Sequence, residues 1–296
     1  IISTLRRRAV PVTDKNLLNV ATISANGDGD IGPLIYDAYK AVGDDGVVTV
    51  ENSKSTETYC DVTTGLKIDR GYTSRYFITD EKMQECVLEK PYIFISDQEV
   101  TSLNSYEAIL KPIIAEGRAI LFICPMGANA MSTLTVNKVK GTIKAGAIIP
   151  PSFGYRTDDL MGDLAILTGG NYLSEKMGDD ATLVNMSDLG SASRAVIGTG
   201  STVLVTNPAD TSAIDERIAD VREMIADESN AETKKFLQER LAVLNGGVAV
   251  IYVGAQSDIE QKEKKDRVDD AVCATRAALE GGILPGGGIA LLEAAK

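Results

Sequence analysis

Two adjacent carboxylates, Asp269 and Asp270, sit in the charged stretch Lys264-Lys265-Asp266-Arg267-Val268-Asp269-Asp270-Ala271-Val272-Cys273-Ala274-Thr275-Arg276-Ala277-Ala278, and a glycine triplet, Gly286-Gly287-Gly288, follows it. Val268, Val272, Thr275 and Leu279 recur at the 3.6-residue period, so they bury one stripe of a helix and turn the two aspartates toward another face. Carboxylates displayed in that way are available for chemistry. Three glycines let the backbone approach an anion, and a helix beginning near Ile289 would aim free N–H groups and its positive dipole end at that anion. The pairing is a candidate nucleotide-phosphate site. The same residues also read as a solvated helix face followed by an ordinary turn.

A second glycine pattern, Gly27-Asp28-Gly29-Asp30-Ile31-Gly32, has the GxGxxG spacing. It precedes the helical stretch Leu34 to Val42 and the strand Val47 to Val50, which ends in Glu51. That order would suit an NAD(P)-dependent oxidoreductase of the Rossmann type, with Gly27, Gly29 and Gly32 against a pyrophosphate. Two features oppose it. Ser24-Ala25-Asn26 separates any preceding strand from the glycines, and two loop aspartates would put negative charge beside the pyrophosphate. The other reading is a helix-initiating turn, with Pro33 near the first helical position.

The elements that must position these groups alternate between strand and helix. Tyr92 to Ser96 and Ala119 to Ile123 read as strands, Ser105 to Glu116 and Asn129 to Val139 as helices, and Thr142 to Ile149 as extended. Asp158 to Leu167 reads as a helix closed by Gly169-Gly170. Pro112 predicts a kink inside the first of these helices. Ile214, Ile218, Val221 and Ile225 line one further helix and Leu237, Leu241 and Leu244 another, separated by Glu228-Ser229-Asn230, which predicts an antiparallel helical hairpin. The fold class expected is α/β: a central domain with a parallel or mixed sheet and a helical hairpin, inserted into a smaller α+β domain built from both ends of the chain. Gly65 and Gly246-Gly247 bracket the centre and are candidate hinges.

Composition narrows the functional classes. The chain has 296 residues, 44% hydrophobic and 24% charged, which suits two or three packed domains rather than a disordered polymer. Lys plus Arg is 30 against 42 Asp plus Glu, and the net charge of -12 argues against nucleic acid or an anionic membrane as a partner. No apolar run approaches the roughly 20 residues a bilayer requires. Cys60, Cys86, Cys124 and Cys273 are widely spaced with no CxxC, which fits isolated thiols in a reducing compartment, and no metal site is expected. The sequence contains no histidine, so His-dependent catalysis and imidazole metal ligation are excluded.

Several long motifs, in order, resemble a group I chaperonin of the 60-kDa family. They are Ala21-Thr22-Ile23-Ser24-Ala25-Asn26-Gly27-Asp28, Asp69-Arg70-Gly71-Tyr72 with Tyr76-Phe77, Leu167-Thr168-Gly169-Gly170, Leu237-Gln238-Glu239-Arg240 with Gly246-Gly247-Val248-Ala249-Val250, and the block from Arg267 to Gly288. The resemblance covers essentially the whole chain. It implies an intermediate domain over 1–64 and 248–285, an apical polypeptide-binding domain over 65–247, and the start of an equatorial nucleotide-binding segment over 286–296. The family's main phosphate loop, of the GDGTTT kind, is not in these residues, so the chain looks like a middle portion that would not hydrolyse ATP alone.

What the resemblance implies for the site is specific. Asp270 takes the position of the family's catalytic aspartate, which helps place the water that attacks the terminal phosphate of ATP opposite Mg2+-bound oxygens. Gly286, Gly287, Ile23 and Ser24 match positions bordering the nucleotide, and Gly282 joins the hinge glycines. Tyr72, Ser74, Tyr76, Phe77, Leu110, Met131, Thr135 and Val136 match an apolar groove for unfolded polypeptides, which the mobile loop of a co-chaperonin lid ring also uses. Read without the family, Tyr76-Phe77 and the stripe Ile109, Leu110, Ile113 and Ile114 would be core. Glu107 and Thr135 stand where the family usually has apolar residues and make the groove more polar. The family works as a homo-oligomeric ring in the cytosol, mitochondrial matrix or plastid stroma. This portion, without the main ring contacts, is expected to be a monomer.

Overall fold

The computed structural model describes residues 2–43, 47–53, 55–151, 155–206, 211–245 and 247–295. Internal contacts divide the chain into two compact units, one of Ile1–Thr63 with Gly247–Lys296 and the other Thr64–Gly246. The fold is a mixed α/β one with parallel and antiparallel sheets, as expected.

In the unit formed from both ends, strand Val47–Asn52 runs parallel to strand Gly247–Val253, in register from Val47 opposite Val248 to Asn52 opposite Val253. Alternate residues of the second strand, Ala249, Ile251 and Val253, join a core with Leu17 and Ala21 of helix Asp14–Ser24, Ile31, Ile35 and Ala38 of helix Ile31–Val42, and Val268, Ala271 and Val272 of helix Asp258–Gly281. The last helix has its own start signal. The hydroxyl of Ser257 accepts the N–H of Glu260 at 3.3 Å, and Asp258 and Glu260 supply the negative charge that a helix N-terminus favours. Helices Ile2–Arg8 and Ile289–Ala294 lie against each other, and Arg8 pairs with Glu293 at 2.9 Å.

The other unit holds a parallel sheet in the order Lys144–Ile148, Ala119–Ile123, Tyr92–Ser96, Tyr172–Leu173, with Gly190–Ser191 antiparallel to the Tyr92 strand. All five residues of Ala119–Ile123 are buried, which is why that strand reads as one continuous apolar run. Helices Glu107–Glu116, Ala128–Val139 and Tyr155–Thr168 follow successive strands. The first follows a short 3-10 turn at Leu103–Tyr106, continues through Pro112, and ends at Gly117, whose φ of 66° is left-handed. The extended stretch expected from Thr142 narrows to Lys144–Ile148, because the N–H of Thr142 still bonds Asn137 O in the turn closing the preceding helix. An antiparallel set, residues 65–68 with Thr202–Val205, Arg194–Ile197 and Cys86–Glu89, packs on the parallel sheet at Gly146. A Cβ there would come within 2.8 Å of Ile197 Cδ1.

Helices Ser212–Asp227 and Ala231–Asn245 form the expected hairpin across residues 228–230. It is tied to helix Tyr155–Thr168 by a buried ion network. Arg240, 1% exposed, gives Asp163 two hydrogen bonds, Nε to Oδ2 at 2.7 Å and NH2 to Oδ1 at 2.9 Å, and Arg217 Nε meets the same Oδ1 at 2.7 Å.

Candidate functional site

Helix Asp258–Gly281 buries Val268, Ala271, Val272, Thr275 and Ala278, and leaves Asp270 exposed and Asp269 half-buried. The helical period predicts this division, and the packing of Asp14–Ser24 onto the same helix enforces it. Ile23 and Ser24 close that neighbouring helix, Ile23 being 76% exposed and Ser24 half-buried. Tyr39 fixes the helix from a third side, its hydroxyl donating to Val272 O at 3.2 Å.

The loop after Ser24 joins the two ideas that the sequence keeps apart. Asp28 Oδ1 accepts the backbone N–H groups of Asp30 at 3.0 Å and Ile31 at 3.1 Å, and so starts helix Ile31–Val42. Its Oδ2 faces Arg267 NH1 at 3.5 Å, one turn before Asp270 on the long helix. Partial burial works to raise the Asp28 pKa, but the two N–H donors and the charges of Arg267 and Lys264 outweigh it and hold the carboxyl below its ordinary value.

That geometry overturns the dinucleotide reading of Gly27, Gly29 and Gly32. The segment leading into the glycines is helix Asp14–Ser24, not a strand, so the strand-loop-helix cradle of a Rossmann fold is missing. Gly32 serves packing instead: a Cβ there would lie 2.3 Å from Thr22 Oγ1 and 2.7 Å from Thr22 Cα. Asp28, read as a carboxylate that would repel phosphate, is committed to the helix start and to Arg267.

Gly286 and Gly287 are exposed, beyond the segment Gly282 to Pro285. Gly287 and Gly288 have φ of 65° and 79°, conformations that glycine adopts without strain, and nothing lies within 4 Å of where their Cβ atoms would be. This open backbone fits the edge of an anion site, although the helix it opens, Ile289–Ala294, has only 6 residues. Among the described residues no group of three or more His, Cys, Asp or Glu could hold a metal ion.

Of the candidate hinges, Gly246 lies outside the described residues. Gly65 is buried in strand Tyr59–Ile68, opposite Val205, and Gly247 begins the strand at the boundary between the units. Gly282 is held rather than loose. Val10 and Ile283 exchange backbone hydrogen bonds of 3.0 and 2.9 Å beside it, and a Cβ at Gly282, whose φ is 76°, would meet Val10 O at 2.8 Å.

The polypeptide-contact candidates divide sharply by exposure. Tyr76, in the 3-10 turn Arg75–Phe77, is 69% exposed, and Val136, on helix Ala128–Val139, is 50% exposed. The turn and the helix touch, and two further bonds hold them: Thr73 Oγ1 reaches Met131 Sδ at 3.6 Å and Lys138 Nζ donates to Ile78 O at 2.8 Å. Tyr72, Ser74, Met131 and Thr135 are half-buried around them. Ser74 holds the turn itself, its hydroxyl accepting the N–H of Tyr76 at 3.4 Å, and Thr135 bonds back to Met131 O at 2.9 Å.

Phe77 and Leu110 do not belong on that surface in this conformation. Phe77 is 0% exposed and Leu110 is buried, both within the main core, because the 3-10 turn points one aromatic ring outward and the next inward. The reading that places Tyr76-Phe77 wholly in the core fails for Tyr76, and the reading that places both in the groove fails for Phe77. In the helix Glu107–Glu116, Ile109 and Ile113 are core while Ile114 is exposed. Glu107 is exposed at the helix start and pairs with Lys111 at 2.7 Å.

Sequence reasoning passes over Arg240, Asp163, Arg267 and Lys138. A signal exists for the first two. Arg240 falls on the stripe with Leu237, Leu241 and Leu244, and Asp163 among Met161, Leu164 and Leu167, and a charge on an apolar stripe must find an opposite charge.

The model of the TCP-1/cpn60 chaperonin family matches residues 1–296, the whole of the chain. The protein belongs to this family of chaperonins, proteins that assist the folding of others and whose members are ATPases. No helix among the described residues is long and apolar enough to cross a membrane.

Proposed function

We propose that the unit Thr64–Gly246 binds non-native polypeptides through the face that Tyr76 and Val136 share, and that the other unit lends Asp270 to ATP hydrolysis. The observation that carries the first half is the exposure of a tyrosine and a valine on two touching elements. Water leaves both side chains when an apolar segment covers them, and a surface with few directional groups accepts many sequences. Tyr72, Ser74, Met131 and Thr135 frame it, with Phe77 and Leu110 supporting it from the core. A co-chaperonin lid ring would compete for the same face.

For the second half, Asp270 is an exposed carboxylate on a helix that is rigidly held by its buried stripe, a placement suited to orienting a water. Ile23, Ser24, Gly286 and Gly287 would border the nucleotide, and Mg2+ with ATP would supply the phosphoryl chemistry. Gly65, Gly246 and Gly247, near the boundary between the units, would take up the movement that couples hydrolysis to shape change, with Gly282 held in place beside Val10. The assembly would be a homo-oligomeric ring, in the cytosol or an organelle matrix or stroma.

The test of the first half is suppression of aggregation of a denatured protein by the 296-residue chain without nucleotide. Tyr76→Ser and Val136→Ser should abolish most of the suppression while leaving the denaturation midpoint nearly unchanged. Phe77→Ala should instead lower stability by about 3–5 kcal/mol, as loss of a fully buried ring does. Undiminished suppression in the first two variants would refute the assigned face. The second half is tested by joining the chain to a phosphate-loop segment. There, Asp270→Ala should slow hydrolysis by about 100-fold or more with little loss of nucleotide affinity, and equal loss of both would refute the role.

A further inference from the structure

The surface around Tyr76 and Val136 is positively charged in a chain whose net charge is -12. Arg75 precedes Tyr76 in the same exposed turn. Lys140 lies one helical turn beyond Val136, its N–H bonded to Val136 O at 3.0 Å, so it projects along the same side of the helix. Lys138 sits between the two elements, with Nζ fixed on Ile78 O at 2.8 Å. Among the described residues none of these three cations is paired with a carboxylate.

The turn Arg75–Phe77 carries no carboxylate to offset them. Helix Ala128–Val139 contains no acidic residue. Asp80, the first carboxylate after the turn, is directed into its own loop, its Oδ1 accepting the N–H groups of Lys82 at 2.9 Å and Met83 at 3.1 Å. Glu107 is paired with Lys111.

We propose that this face, if it binds polypeptide as inferred above, prefers apolar segments flanked by Asp or Glu over the same segments flanked by Lys or Arg. The apolar side chains supply the affinity, and the rim charges select among segments by complementarity, because a flanking carboxylate meets unpaired cations and a flanking ammonium is repelled. The cations remain in contact with water, so the selection is modest and sensitive to salt.

The probe is a set of three fluorescently labelled peptides sharing one apolar core and flanked by Asp, Ser or Lys, titrated into the full chain without nucleotide and followed by anisotropy. The expected order is Asp before Ser before Lys, with about fivefold or more between the extremes at low salt, shrinking as salt is raised. Reversing two charges, Arg75→Glu with Lys140→Glu, should invert the order. Equal binding of all three peptides, each lost on Tyr76→Ser, overturns the charge preference and leaves the binding face standing. Binding of none of them, or binding indifferent to Tyr76→Ser, overturns the face and the preference together. The comparison among peptides on the unaltered chain decides the matter even where the charge-reversed variant fails to fold.

Discussion

Asp28 shows how one side chain can be misread by its neighbours in sequence. Between two glycines it looks like part of a phosphate loop; in space it starts one helix and faces Arg267 on another. Its pKa is lowered, so the folded state binds its proton less readily than the unfolded chain does. The stability this contributes is complete above the unfolded value, about 3.9, and is lost as pH falls through the lower folded value. Asp28→Asn should therefore destabilise the protein at pH 7 and flatten its loss of stability in acid, measured as denaturant midpoints across pH 2 to 7, roughly the span over which an aspartate titrates. A variant whose acid profile parallels the parent's would refute this account.

At the scale of elements, the helical hairpin is held by chemistry as much as by apolar contact. Asp163 receives hydrogen bonds from both Arg240 and Arg217 while nearly fully buried, so removing Arg240 takes away two of the three bonds that offset the cost of burying its carboxylate. Arg240→Met should cost about 3–5 kcal/mol. Replacing Asp163 by Leu in the same chain should recover part of that loss, because the buried carboxylate that Arg240 neutralised is then gone, although Arg217 loses its partner too. A double variant no more stable than Arg240→Met would show that packing, not the ion network, joins hairpin to helix. The hairpin itself is legible in the apolar spacing of residues 214–225 and 237–244. The ion network is not, because nothing in a single sequence pairs Asp163 with Arg240 across 77 residues.

For the molecule as a whole, two separate cores matter more than total size. Among the described residues the larger core draws on those from Leu66 to Leu244, and the smaller on those up to Val50 and from Ala249 onward, with Cys60 and Leu279 at its margin. Residues 64–246 alone should fold cooperatively, giving a single sigmoidal denaturant transition with near-ultraviolet dichroism of packed aromatics. The remaining unit depends on both ends at once, since strand Val47–Asn52 has strand Gly247–Val253 as its parallel partner. A broad, non-cooperative transition of residues 64–246 would contradict the assignment of an independent core.

The sequence by itself determined the alternating strands and helices from Tyr92 to Leu167, the helical hairpin, the buried stripe that exposes Asp270, and membership of the chaperonin family. These follow from local periodicity, turn glycines and long collinear motifs, all written along the chain. It left open which of two neighbouring aromatics faces water, what the GxGxxG stretch is for, and where the charges of Asp28, Asp163 and Lys138 go. Only tertiary structure decided those points, because each depends on a partner distant in sequence: the helix behind Gly32, the core beneath Phe77, Arg267 opposite Asp28, Arg240 opposite Asp163, and the carbonyl of Ile78 under Lys138.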